Sequence, residues 1–150
     1  MGKTTLSNNS RVRILDANTA ESGHEPGRPR FQIKEHHART HHFDFRLEKD
    51  GVFKSWAVPK GLPTEPDIKR LAVQVEDHAL EFGDFEGVIP DGQYGAGTVA
   101  IWDAGTYELH DWRPDRIDFS LHGKRLQGGY ELVAFKPAGE KQWLVFKRSE

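Results

Sequence analysis

From Phe31 onward the chain is a succession of short apolar runs, each rich in aromatic and β-branched residues and each closed by Gly, Pro or Asp. His42 to Lys49 alternates polar and apolar side chains, the period of a strand with one buried face. Asp50-Gly51 is a two-residue turn signal, and Val52 to Val58 returns as the partner strand. Leu71 to His78 alternates again, which predicts Leu71, Val73 and Val75 toward a core and Arg70, Gln74, Glu76 and His78 on the opposite face. Thr98–Trp102, Ile117–Leu121, Gly129–Phe135 and Trp143–Lys147 complete the expected strands. Only 64–70 and 111–117 leave room for a helical turn or two. Many short strands with frequent turns predict a mainly β fold, an antiparallel barrel or sandwich.

Residues 1–29 differ in character. They are rich in Ser, Asn, Gly and Pro and predict a flexible N-terminal arm ahead of one domain spanning 30–150. The absence of cysteine excludes disulfides and thiolate metal sites. The polar start MGKTTLSNNS lacks the apolar segment of a signal peptide, and no apolar run reaches membrane-spanning length. The cytoplasm is the expected compartment, with no membrane partner.

Charge narrows the function. The net charge is −2, and residues 1–30 hold five Lys or Arg against three Asp or Glu, leaving 16 against 20 in the rest. A protein that coats long nucleic acid tracts carries a broad basic field. Its lack here points, for any nucleic acid substrate, to a compact local contact such as a strand end.

The candidate chemistry lies in HHARTHHFDFRLE, where four of the eight histidines fall within seven residues. Alternation puts Phe43, Phe45 and Leu47 on one face and His42, Asp44, Arg46 and Glu48 on the other. His42 and Asp44 offer an imidazole and a carboxylate side by side, and His36, from the turn just before, offers a third ligand. Two histidines and one carboxylate leave coordination positions open, as a catalytic metal requires. Arg46, one pleat on, has the planar fork that suits a phosphate. His78 is placed to contact or protonate a phosphate oxygen, and Lys60 adds a further contact. His37 and His41 read as surface histidines, and His110 and His122 are assigned no role. PDGQYGAGT lacks the Lys-Ser/Thr and following helix of a phosphate loop and reads as a turn. Alternation by itself shows only a sheet; the clustering of ligand types is what points to a site.

These stretches, HHFDFRLEKDGVFKSWAVPKG, KRLAVQVEDHALEFGDFEGVIPDGQYGAGTV and WLVFKR, closely resemble the 3′-phosphoesterase domain of bacterial DNA ligase D, which also occurs free-standing. The resemblance runs from Phe31 to Lys147. It implies a compact antiparallel β-barrel with a polar active-site cavity, here in stand-alone form. It also implies manganese-dependent removal of a 3′-terminal ribonucleoside and then of the 3′-phosphate, leaving a 3′-hydroxyl for end repair. Zn2+ or Co2+ would also suit the ligands. By position, His36, His42 and Asp44 would hold the metal, Arg46 and His78 the phosphate, with Lys60 and Arg70 in support and Glu48 and Gln74 as further contacts. The implied partners are DNA primer-template 3′ ends, a separate ATP-dependent DNA ligase and a polymerase, with nucleoid association during repair.

Two departures stand out. Phe82 occupies a position where the best-known bacterial members have tyrosine, so one hydroxyl donor to the phosphate is missing. The arm RVRILDANTAESGHEP carries no transferable counterpart of the Arg-Asp pair that supports ribonucleoside removal. Two rival functions follow. A non-catalytic end-binding module would bind metal and phosphate without turnover. An iron-dependent oxygenase would use His42-x-Asp44 but would take its last histidine from far downstream and would turn over 2-oxoglutarate.

Overall fold

The computed structural model describes residues 28–149, apart from Tyr94, Gly95 and the side chain of Phe82. Among these residues nine strands follow in order: β1 Arg30–His37, β2 His41–Lys49, β3 Val52–Val58, β4 Lys69–Ala79, β5 Gly87–Ile89, β6 Gly97–Arg113, β7 Arg116–Gly123, β8 Gln127–Ala134 and β9 Gln142–Lys147. All pairings are antiparallel, in the order β1-β2-β3-β4-β9-β8-β7-β6-β5, and a further β1–β6 pairing closes eight strands into a barrel. The short β5 is appended to β6. Closure satisfies the backbone groups that an open sheet edge would leave unpaired.

The expected β2–β3 hairpin is present, with Lys49 opposite Val52. Asp50 and Gly51 both have positive φ, 56° and 83°, which a two-residue turn needs to match the strand twist. The run expected at Thr98–Trp102 is part of a 17-residue strand, β6. Its register shifts near Trp102 and His110 let it serve β5 and β7 in succession along one edge while β1 holds the other. Residues 111–117 form the β6–β7 hairpin rather than a helical turn, and 64–70 are a bend running into β4. Among the described residues the helical content consists of two single 3-10 turns, Leu80–Phe82 and Lys136–Ala138. Among the described residues no helix is long and apolar enough to cross a membrane. Of the arm expected at 1–29, only Arg28 and Pro29 lie within the described residues.

The barrel interior is apolar and filled. Phe31, Ile33, Phe45, Leu47, Trp56, Phe119, Tyr130 and Val145 point inward and are fully buried. Phe45 stacks on Phe119 at 5.7 Å, and Trp56 meets Trp143 edge to face at 6.1 Å. Such packing makes this interior an apolar core. By alternation, the opposite side chains of β1 to β3 lie on the outer wall. There the segment following β4 crosses them. Lys34, 1% exposed, donates to Phe85 O at 2.9 Å, and a Cβ at Gly83 would come within 2.9 Å of the Phe53 ring.

Asp103 organises the far end. Its carboxylate accepts from the backbone N–H groups of Ala104, Lys124, Arg125 and Leu126 at 2.8–3.2 Å, fixing the β7–β8 turn. Gly123 is required beside it, because a Cβ there would sit 2.3 Å from Asp103 Oδ2 and 2.6 Å from Phe31 Cζ.

Candidate metal centre and anion site

His36, His42 and Asp44 converge on the outer wall of the first hairpin, each offering one ligand atom, all within 4.8 Å of one another. His36 lies in β1, not in the turn before β2, and is the direct register partner of His42. The KEHH sequence completes β1, so the two imidazoles come together by cross-strand pairing, with ring centroids 4.8 Å apart. Asp44, two residues along β2, puts Oδ1 3.3 Å from His42 Nε2 and Oδ2 3.7 Å from His36 Nδ1.

The donor set fits a divalent cation. His42 Nδ1–H donates to Thr40 O at 2.9 Å, which leaves Nε2 as the ring atom that faces Asp44. The 3.3 Å nitrogen–oxygen separation is close to the span of about 2.9–3.4 Å that two ligands about 2.0–2.1 Å from one ion subtend. Hydrogen bonding to Asp44 holds the His42 pKa above its usual value, while His42 and Arg46 draw the Asp44 carboxyl below its own against the effect of burial.

Arg46 follows on the same face and is 7% exposed, with its Nε unpaired in the protein. Burial lowers its pKa, with Asp44 opposing, yet a guanidinium stays charged at any ordinary pH. A buried cation with an unused donor is costly unless an anion completes it. Ser55 is the register partner of Arg46 on β3, and its Oγ lies 2.8 Å from His78 Nδ1. The Ser55 hydroxyl also donates to Phe53 O, so its oxygen accepts from His78 Nδ1–H and Nε2 is left to face the site. Burial and the neighbouring Arg46 charge lower the His78 pKa.

His78 reaches this face through an irregularity. Ser55 pairs with Val75 but Phe53 pairs with His78, so Glu76 and Asp77 together oppose Lys54. The bulge reverses the phase of β4. Before it, Ala72 points into the core, Leu71 is 39% exposed, and Gln74 Oε1 accepts from Trp143 Nε1 at 3.2 Å. The expected common face of Arg70, Gln74 and His78 therefore does not form. Gln74 is engaged by the interior tryptophan, and Arg70 Nη1 donates to Lys60 O and Gly61 O, bracing the turn after β3. Lys60 is exposed on that turn. Glu48 continues the outer face of β2 but accepts from Arg30 N at 3.0 Å and pairs with the Arg30 guanidinium.

Three residues absent from the expected set belong here. Thr40 and Ser55 orient the two histidines through the bonds above. Lys34 is the register partner of Asp44, and burial followed by the Arg46 charge lowers its pKa to about 7. The alternation Phe31, Ile33 against Gln32, Lys34, His36 is the sequence signal that could have found it.

Residues 34–134 match the model of the DNA ligase D 3′-phosphoesterase domain. This chain belongs to that family. A Mycobacterium bovis relative, the multifunctional non-homologous end joining protein LigD, is 52% identical over 121 residues, covering 78% of this chain and 16% of the relative. The Pseudomonas aeruginosa protein of the same name is 42% identical over 156 aligned positions, covering 97% of this chain and 19% of its own length. The Mycolicibacterium smegmatis protein is 44% identical over 132 residues, covering 81% of this chain and 17% of its length. The chain thus spans less than a fifth of these relatives. As a member of the phosphoesterase family it places two histidines and an aspartate beside a buried arginine and a second histidine, on one face of one hairpin and its neighbours.

Proposed function

We propose that this phosphoesterase is a manganese-dependent DNA 3′-end-processing enzyme that removes a terminal ribonucleoside and then the 3′-phosphate. The observation that carries the reading is the buried Arg46, with its unpaired Nε, next to the His36–His42–Asp44 ligand set. His36, His42 and Asp44 would hold the divalent cation, which would supply positive charge beside the bound phosphate.

The chain's own groups do the rest. Arg46 holds the phosphate and stabilises charge as its oxygens crowd. His78, oriented by Ser55, presents Nε2 to another oxygen; burial lowers its pKa, and a proton taken up from solvent beside the phosphate anion lets Nε2–H donate to that oxygen. A strand terminus as the ligand agrees with the lack of a broad basic field. The relatives' names place them in non-homologous end joining. We extend that role to this chain, with DNA primer-template ends as substrate and an ATP-dependent ligase and a polymerase as the activities that use the product.

The test is direct. A 5′-labelled primer ending in one ribonucleotide, or in a 3′-phosphate, is incubated with the protein with and without Mn2+. Shortening to a 3′-hydroxyl only with the metal supports the reading. End binding without product would favour a binding module and remove the catalytic assignment.

A further inference from the structure

The histidines His37 and His41, with Glu35, form a second cluster on the other side of the same hairpin. His37 and His41 are register partners flanking the three-residue turn at 38–40, and alternation aims them away from His36 and His42, toward the rim of the barrel mouth. Glu35, two residues before His37, shares their side. Both imidazoles aim Nε2 at one carboxylate oxygen, Glu35 Oε2, at 3.2 Å from His37 and 2.9 Å from His41. The rings stack in parallel, 4.2 Å between centroids and 8° between planes. Phe43 lies against His41 at 5.4 Å and is in turn braced by Trp102.

We infer that Glu35, His37 and His41 form a second metal site, selective for a borderline transition cation such as Zn2+, that clamps the tip of the hairpin whose opposite face carries the candidate metal centre. The three ligand atoms lie within 4.8 Å of one another, and the two nitrogen–oxygen separations fall inside the span of about 2.9–3.4 Å expected for ligands sharing one zinc ion. A cation between them satisfies both Nε2 lone pairs and the carboxylate at once, while each Nδ1–H remains with solvent. The imidazoles are about half exposed, so an ion can enter and exchange, and three protein ligands leave a fourth position to water. Imidazole donors favour zinc, nickel or copper over magnesium or calcium. The site would act on structure: closing the turn between His37 and His41 restricts the register that brings His36 opposite His42.

The test reads zinc uptake by the full chain in calorimetry, in backgrounds that separate the two centres. Wild type is expected to take up two equivalents, H42A/D44A one, H37A/H41A one, and the fourfold variant none. E35Q, which keeps the side-chain shape at a half-buried position, is expected to weaken the second equivalent at least tenfold. In H42A/D44A, zinc should raise the thermal midpoint, and adding H37A/H41A should abolish the rise. H42A/D44A lacking any zinc-dependent rise, or wild type and H37A/H41A binding equally, would overturn the proposal whatever the 3′-end assays show.

Discussion

His36 and His42 stand directly opposite each other across β1 and β2, so the candidate metal centre is a property of cross-strand register rather than of a loop. Replacing His42 with Ala removes the ligand whose Nε2 is oriented by Thr40 O. Loss of mere outer-shell partners around metal sites costs about 10- to 100-fold in affinity. H42A is expected to lose at least that in Mn2+ affinity and to fall to background turnover. Titration calorimetry and the labelled-primer assay check it, and an active, metal-replete H42A would remove His42 from the centre.

Much of this was legible because it is local. Phe43, Phe45 and Leu47 alternate with His42, Asp44 and Arg46 inside one hairpin closed by Asp50-Gly51, so the sequence alone separates wall from core. The phase of β4 was not legible. Leu71, Val73 and Val75 look like its buried face, yet Ala72 is the inward residue because it pairs with Trp143, whose indole fills the space a larger side chain would need. Nothing in LAVQVEDHA marks the bulge at Glu76 and Asp77 that returns His78 to the outer wall. Likewise, the Ser55–His78 bond joins residues 23 apart and depends on that bulge, which no local pattern encodes.

Arg46 separates charge from geometry. In R46K the positive charge stays but the planar fork is lost. A hydrogen bond to a charged group contributes about 1.5–3 kcal/mol, so kcat/KM should fall roughly 10- to 100-fold while Mn2+ affinity is unchanged. Steady-state kinetics beside metal titration separates the two. Equal losses in both would place Arg46 in metal retention instead.

Asp103 tests the scaffold apart from the site. In D103N the carboxylate oxygens become one oxygen and one NH2, and the NH2 must face backbone N–H groups that now donate to Asp103. Each donor left without an acceptor costs up to about 1–3 kcal/mol, the full amount only where the N–H is buried, as at Leu126. Urea unfolding should show that loss, with Mn2+ affinity intact in the remaining folded protein. A variant as stable as wild type would mean the β7–β8 turn stands without the cradle.

Alkaline pH probes the core. Tyr130 is fully buried, its hydroxyl donates to Pro63 O at 2.8 Å, and burial pushes its pKa up to about 12; burial raises Tyr107 further still. Each folded pKa lies above the unfolded value of about 10, so the folded state holds the phenol proton longer. Their contribution to stability is complete below pH 10 and is lost as pH rises, for Tyr130 between 10 and 12, at up to about 1.4 kcal/mol per pH unit. Y130F is expected to be about 1 kcal/mol less stable than wild type at pH 8, through the lost bond to Pro63 O. Above pH 10 that deficit should shrink and then reverse, since phenylalanine has no proton to lose. Urea unfolding of both proteins between pH 8 and 11.5 measures the difference; a deficit constant across that range would show that Tyr130 titrates alike in the folded and unfolded chain.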